Sequence, residues 1–479
     1  MVKDVLLIVH DVYQDNNEFP SNVGYLASML ENRGFSVEVY CMDVYHYTNR
    51  QLVDKLDNND YKVIGISFLA ARFIETVLPL CKLINKYKGD ALLVLGGHGA
   101  SPIPEYMLRK TVADIIVIGE GEETICEIVD NLKNNNVIDE SINGIAYLDN
   151  DKFIQTKERK PIRRLDDIPM PAYHLFPIDI YSTCKKIPGM VKGDKLLSII
   201  TSRGCVNSCT FCYRMIESVR LRSIDNVMKE IKYLYDTYGI NSYNMNDELF
   251  LISKKRLKKF VDALDEYGLK IKYTANVRAD IFDKEMARLL KKSGCTLANI
   301  GFESMSQNIL DEMKKNTTVE DNTKALDISI SEDIPVGLNF IWGFPSDNKK
   351  TLMKRVDTIK KYNKYQQMRT IRPVTPYPGC ELYYYAIDKG LLDGPEDFFN
   401  KFKNSDLITI NFTQYPNKLC YKWLLEGNKE LIYDYYKNTN GDMIDADGLI
   451  NDFKMLYKGK LNKFRGSKNY TKNINNTTN

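Results

Sequence analysis

A chain of 479 residues with 44% apolar and 27% charged side chains has ordinary globular composition and is too long for one ordinary core, which excludes disordered, collagen-like and small disulfide-scaffold classes. The net charge of +3 is concentrated at the end, where seven Lys or Arg and no acid follow from Lys454 onward; the mildly acidic body left behind argues against nucleic acid as a partner. The longest apolar runs, such as residues 5–9 and 91–95, fall far short of the roughly 20 residues of a membrane span. The first of them is also too short for the core of a secretion signal. A cytoplasmic protein without a membrane span is expected.

In chain order, β-rich runs at 5–9, 37–40, 63–67, 91–95 and 114–118 alternate with amphipathic stretches such as 22–33 and 74–87. Alternation of this kind predicts crossover units and a Rossmann-like, doubly wound parallel sheet over residues 1–143. Its strands are apolar throughout, as a sheet covered on both faces requires. Ser67, Gly96, Gly97, His98, Gly119 and Glu120 fall at strand ends, where open parallel sheets bind ligands and where glycine lets a ligand approach the backbone.

A hairpin is predicted over 144–157, and five prolines between 158 and 190 argue against regular structure there; residues 144–190 read as a connection. A second series of strands follows at 196–201, 242–246, 271–276, 297–302, 337–341 and 370–375, separated by helical stretches at 224–238, 254–267, 284–293, 307–314 and 352–362. Six β/α units over 191–394 predict a partial (β/α)6 barrel with its chemistry on the loops after the strands. Residues 395–460 read as a mainly helical segment, with aromatic residues Tyr383–Tyr385, Phe398 and Phe399 near its start, and residues 461–479 as a disordered basic tail.

Of ten cysteines, three lie in the loop after the first barrel strand: Cys205, Cys209 and Cys212, within Gly204-Cys-Val-Asn-Ser-Cys-Thr-Phe-Cys-Tyr213. Closely spaced thiolates wrap a loop around iron–sulfur clusters. A structural zinc site would want four ligands; the chain has only four histidines, and the nearest, His174, falls in the proline-rich connection. The Cys-x3-Cys-x2-Cys spacing, with Phe211 before the last Cys, resembles the signature of the radical S-adenosylmethionine (SAM) superfamily.

That resemblance implies a four-iron four-sulfur cluster on Cys205, Cys209 and Cys212, with one iron open to the amino and carboxylate groups of SAM. It implies reductive cleavage of SAM to a 5′-deoxyadenosyl radical, with Phe211 beside the adenine and Tyr213 next to the site. By position it also implies SAM contacts for Asp247 and Glu248 after the second barrel strand, although the family's two glycines are missing there. It implies the same for Arg278 after the third strand and for Glu303 after the fourth.

The order of a parallel sheet followed by a radical barrel resembles the cobalamin-binding-domain subgroup, which implies cobalamin at Ser67, Gly96, Gly97, His98, Gly119 and Glu120. Mutase-type Asp-x-His-x-x-Gly is absent, since Asp43 and His46 are three apart, so no lower histidine ligand is expected. The implied function is radical methylation of an unactivated carbon of a small molecule, with ferredoxin or flavodoxin as electron donor. The alternatives are a radical ring closure or rearrangement and, from another class, a non-catalytic iron–sulfur or cobalamin carrier. The catalytic residues and the substrate are not legible.

Overall fold

The computed structural model describes residues 2–12, 17–134, 138–250 and 253–461. The basic tail beyond residue 461 lies outside the described residues. The chain forms two compact units, the first ending at Lys185 and the second beginning at Lys186. Among the described residues no helix is long and apolar enough to cross a membrane.

The first unit is a seven-stranded sheet. Its strands are β1 (Val2–Val9), β2 (Val37–Cys41), β3 (Asp60–Ser67), β4 (Leu92–Gly96), β5 (Ile115–Val117), β6 (Ile145–Asp149) and β7 (Lys152–Gln155), in the order β2-β1-β3-β4-β5-β6-β7. The first five strands run parallel. They bury Val5, Leu6, Ile8, Val63, Ile64, Leu93, Val94 and Ile116 almost completely, which is the continuous apolar pattern of a doubly covered sheet. The expected hairpin, β6–β7, extends this sheet antiparallel. The proline-rich stretch contributes Tyr173, Phe176 and Tyr181, which pack around Phe19. The strand order reverses at β1 and β3, so the crevice for a ligand lies outside the carboxyl ends of those two strands.

The second unit is a six-stranded parallel sheet. It comprises β8 (Leu196–Ile199), β11 (Ser242–Met245), β12 (Lys272–Val277), β13 (Cys295–Glu303), β14 (Val336–Trp342) and β15 (Arg372–Pro373), ordered β15-β14-β13-β12-β11-β8. A small antiparallel ribbon of β9 (Ser202–Arg203) and β10 (Arg220–Leu221) stands between β8 and the next helix. The helix Ile224–Tyr238 matches its expected bounds because both stops are chemical. Ser223 caps its first turn by accepting from Asn226 N, and Gly239, at φ +70°, ends it as a left-handed C-terminal glycine does.

Helix Val319–Ser331 was not anticipated, although Thr318 and Asp321 form a reciprocal capping box at its start, the sequence signature of a helix N-terminus. The C-terminal helices include Asn417–Asn438 and Met443–Tyr457. Asn428, on the first of these, holds both backbone groups of Ile371, accepting from its N–H at 2.7 Å and donating to its carbonyl at 3.0 Å. The pairing satisfies polar backbone next to the short edge strand β15. Tyr383, Phe398 and Phe399 are core residues, whereas Tyr384 and Tyr385 are exposed.

Candidate functional site

The three cysteines occupy the loop bracketed by β9 and β10. Its start is fixed by Gly204, at φ +83°, where a Cβ would stand 2.1 Å from the Ser218 carbonyl oxygen. No side chain fits there, so Gly204→Ala is expected to force the ribbon open. The cost should exceed the roughly 1–2 kcal/mol of left-handed strain alone, and reconstituted iron content should fall by half or more relative to the wild-type chain.

The middle of the loop is held by backbone bonds, Thr210 N to Met313 O at 3.0 Å and Leu382 N to Thr210 O at 2.8 Å. Cys205 and Cys209 are half-buried and Cys212 is exposed. Burial raises the Cys209 thiol, with further upward contributions from the charges of Glu303 and Cys205 and downward ones from Lys315 and Arg278. Loss of solvation raises the Cys212 thiol to about 11, as do the charges of Cys209, Glu248 and Cys205, against the lowering charge of Lys315.

Thiols held up at Cys209 and Cys212 suit a cationic iron cluster, which supplies the missing positive charge. Among the described residues no three His, Cys, Asp or Glu side chains converge tightly enough for a single metal ion. A cluster spreads its ligands over separate irons and needs no such convergence.

Asp247 and Glu248 diverge. Asp247 is almost fully buried and accepts from Thr201 N at 2.6 Å, Ser202 N at 2.8 Å and Thr201 Oγ1 at 2.7 Å. It therefore shapes the segment leading into the cysteine loop. Asp247→Ala would strand two buried N–H groups at roughly 1–3 kcal/mol each, read as a lower thermal midpoint and weaker retention of iron.

Burial raises the Asp247 carboxyl to about 6, against the hydrogen bonds of Thr201 and Ser202 and the charge of Arg256. A carboxyl raised above its free value stabilises the fold most when protonated. Its contribution is present below the ordinary carboxylate range and is lost as pH rises through about 6; Asp247→Ala removes that slope. Glu248 faces the loop instead. Burial raises its carboxyl, the backbone of Gly204 lowers it, and Arg220 and Arg214 stand nearby.

Glu303 ends β13 at φ +59°, a left-handed conformation uncommon for a non-glycine residue and one that clusters at functional sites. Its carboxylate accepts from Lys315 Nζ at 3.0 Å. Gly301 leaves the room: a Cβ there would lie 2.4 Å from Glu303 Oε1 and 2.9 Å from Lys315 Nζ. Burial works against the charge on Lys315, but Glu303 and Cys209 hold it above its ordinary value. A buried ammonium thus faces both the cysteine loop and Glu303.

Arg278 donates to Asp280 at 2.9 and 3.2 Å and to the carbonyls of Lys315 and Asn316 at 3.2 Å. It fixes the loop that carries Lys315. No spacing in the sequence singles out Lys315, because it reaches the site from a turn twelve residues past Glu303.

A second support runs beneath. Phe211 packs edge-on against Phe344, with centroids 6.1 Å apart. The Gly343 and Phe344 N–H groups donate to Asp347 at 2.9 and 3.2 Å. Asp347 pairs with Arg355 at 2.8 Å, both side chains fully buried. Arg355 Nε donates to the Glu303 carbonyl at 3.0 Å. One ion pair therefore positions both Phe211 and Glu303. Buried charges such as Asp347 and Arg355 carry no motif of their own. Tyr213 is pushed up to about 12 by burial and by Tyr384.

In the first unit the expected residues gather at the carboxyl ends of β3, β4 and β5. Ser67 Oγ accepts from Asn22 at 2.7 Å. Gly97, at φ +85°, has Ser67 Oγ 2.6 Å from where a Cβ would be. Gly119, at φ +83°, has nothing within 4 Å of its absent Cβ, an opening that suits a bulky cofactor. His98 is exposed just past the end of β4. Glu120 accepts from Ile162 N at 2.8 Å and so also anchors the connection.

At the switch point itself stand two residues that sequence patterning passed over. His10 is held neutral by burial, which lowers it to about 4. Asp11 binds His46 Nδ1 at 2.8 Å.

Residues 199–359 match the model of the radical SAM superfamily, and residues 8–129 match that of the B12 binding domain. An uncharacterized methyltransferase, PH0819, from Pyrococcus horikoshii is 30% identical over 78% of this chain and 79% of its own length. Anaerobic magnesium-protoporphyrin IX monomethyl ester cyclase from Rubrivivax gelatinosus is 26% identical over 80% of this chain and 70% of its own. The structure of the radical SAM methyltransferase TsrM from Kitasatospora setae, with cobalamin and a [4Fe-4S] cluster bound, superposes with a TM-score of 0.64. The overlap is 18% identical and covers 81% of this chain and 75% of that one. Membership at this level carries the family's cluster and SAM with the barrel, and cobalamin with the B12 binding domain. The chain belongs to the radical S-adenosylmethionine superfamily, in the branch that carries an N-terminal B12 binding domain.

Proposed function

We propose that the protein methylates an unactivated carbon of a small molecule, drawing on one SAM for the radical and on a second for the methyl group. The observation that carries this reading is the presence, in one chain, of a three-thiol loop ringed by Glu248, Glu303 and Lys315 and of a sheet of order 2-1-3-4-5 with an open glycine edge. The 30% identity to a protein described as a methyltransferase supports it. When bound, the cluster and SAM supply a hydrogen-abstracting radical and cobalamin supplies a transferable methyl group.

The residues divide the work. Cys205, Cys209 and Cys212 hold the cluster. Phe211, steadied by Phe344, and Tyr213 flank the adenine of SAM. Glu303 accepts from its ribose hydroxyls. Lys315 sets positive charge beside its carboxylate, with Arg278 holding the Lys315 turn in place. Glu248 accepts from its amino group, and Asp247 keeps the strand end in register. Ser67, Gly96, Gly97, His98, Gly119 and Glu120 border the corrinoid, with no histidine on cobalt. Electrons come from a ferredoxin or flavodoxin. The cytoplasm, which keeps ten free cysteines reduced, is the compartment that fits.

A second reading, ring closure or rearrangement without methyl transfer, is favoured by the resemblance to the cyclase. SAM with a deuterated methyl group separates the two. Methylation gives labelled product with roughly equal 5′-deoxyadenosine and S-adenosylhomocysteine. If 5′-deoxyadenosine forms with the true substrate and no label moves, the methylation reading is wrong and the second replaces it.

A further inference from the structure

The inner face of the second unit's sheet carries a cluster of polar side chains, where bulky branched residues fill the interior of a closed barrel. Side chains that meet the surrounding helices mark the outer face: Tyr273 packs on Phe260, Trp342 on Trp423, and Tyr243 OH donates to the Ile231 carbonyl at 3.3 Å. The alternate positions therefore line the lumen. By register these are Ser198, Asn244 and Thr274 with the apolar Leu297 at one level, Asn276, Asn299 and Gly337 at the next, and Gly301 with Asn339 above them. Asn244, Asn299 and Asn339 are each partly exposed although they sit within strands, so solvent reaches this face.

Into this lumen comes Arg369, from the loop before β15. It donates to Asn339 Oδ1 at 2.7 Å and to Asn299 Oδ1 at 3.1 Å. The missing side chain of Gly337 makes the space, since a Cβ there would lie 2.4 Å from Arg369 Nη2 and 2.2 Å from Asn299 Oδ1. Among the described residues no carboxylate pairs with this guanidinium. Burial alone pulls its pKa down to about 10, the mark of a cation without a counter-charge.

The amide oxygens of Asn299 and Asn339 face Arg369, and that of Asn244 accepts from Thr274 Oγ1 at 2.9 Å. Their NH2 groups are left as donors. The lining at this depth is thus rich in N–H and poor in negative charge. A cation drawn partly out of water with amide partners but no counter-charge is costly, and an arriving anion offsets that cost.

We propose that the substrate carries an oxyanion, a carboxylate or a phosphoryl group, that enters the lumen and pairs bidentately with Arg369, oriented by Asn299 and Asn339. Arg suits this task because its planar fork matches both acid types. Asn299 and Glu303 stand four positions apart on β13, roughly 13 Å of strand, so an acid group held at Arg369 fixes which part of the substrate lies level with Glu303. The inference rests on the proposed radical reaction but is tested without turnover.

The thermal midpoint of the cluster-loaded full chain is measured in inorganic phosphate, in succinate and in chloride at matched ionic strength. The wild-type chain is expected to gain about 2–4 °C in at least one oxyanion over chloride. Arg369→Met should lose that gain while matching or exceeding the wild-type midpoint in chloride, and Arg369→Lys should keep part of it. A gain in phosphate but not succinate assigns a phosphoryl group, and the reverse assigns a carboxylate. No gain in the wild-type chain, or an equal gain in Arg369→Met, overturns the proposal and leaves the methylation reading standing. Failure of the label-transfer experiment leaves the oxyanion result untouched.

Discussion

Replacing Cys205, Cys209 and Cys212 together by alanine is expected to abolish the brown chromophore and all formation of 5′-deoxyadenosine. The wild-type chain, reconstituted without oxygen, should hold about four iron and four sulfide. The physical case is the absence of substitutes. The seven other cysteines are scattered through the two units, and Cys41, Cys81, Cys126, Cys295, Cys380 and Cys420 are buried as fillers. Burial pushes the thiols of Cys41, Cys81, Cys126, Cys295 and Cys380 up to about 12, which keeps them protonated and poor as ligands. The triple variant should fold, because the loop's backbone anchors at Thr210 and Gly204 remain. Full iron retention by that variant would sink the cluster assignment.

Arg355→Ala is expected to cost about 3–5 kcal/mol of stability. The substitution leaves Asp347 charged and fully buried without its partner. It also removes the donor that satisfies the Glu303 carbonyl. Asp347 cannot escape to solvent, because it is held by the N–H groups of Gly343 and Phe344 and by Thr351 Oγ1 at 2.7 Å. The loss is read as a fall in the urea midpoint. The double variant Arg355→Ala/Asp347→Ala should lose less than the two single losses combined, since each single change strands the other's charge. The same variant should bind SAM more weakly, because the left-handed turn at Glu303 loses its support. A fully additive double variant would mean that the pair is not coupled and that Glu303 is positioned by other contacts.

Within the first unit, sequence alternation located all five parallel strands to within a few residues, because a doubly covered strand must be apolar along its length. The cysteine loop was equally legible, since three thiols at x3 and x2 spacing need no tertiary information to be seen as one site. The helix Ile224–Tyr238 was bounded correctly by a serine and a glycine whose roles are local. Helix Val319–Ser331 shows the opposite limit. Its capping box is local too, but sequence alternation assigns no element between the helix expected at 307–314 and the strand expected at 337–341, because the box does not enter that pattern as a start signal.

What the tertiary structure decided is how the polar groups are shared. Asp247 and Glu248 are neighbours in sequence, yet one is turned into the strand end and the other toward the cysteines, because successive residues leaving a strand point to opposite sides. Lys315, Asp347, Arg355 and Arg369 are ordinary charged residues in the sequence. Each gains its role only when distant segments meet: a turn against Cys209, a helix under Glu303, a loop inside the lumen. A charge acquires a strong effect only where water has been removed and its partners fixed, and no local pattern records which charges the fold will bury.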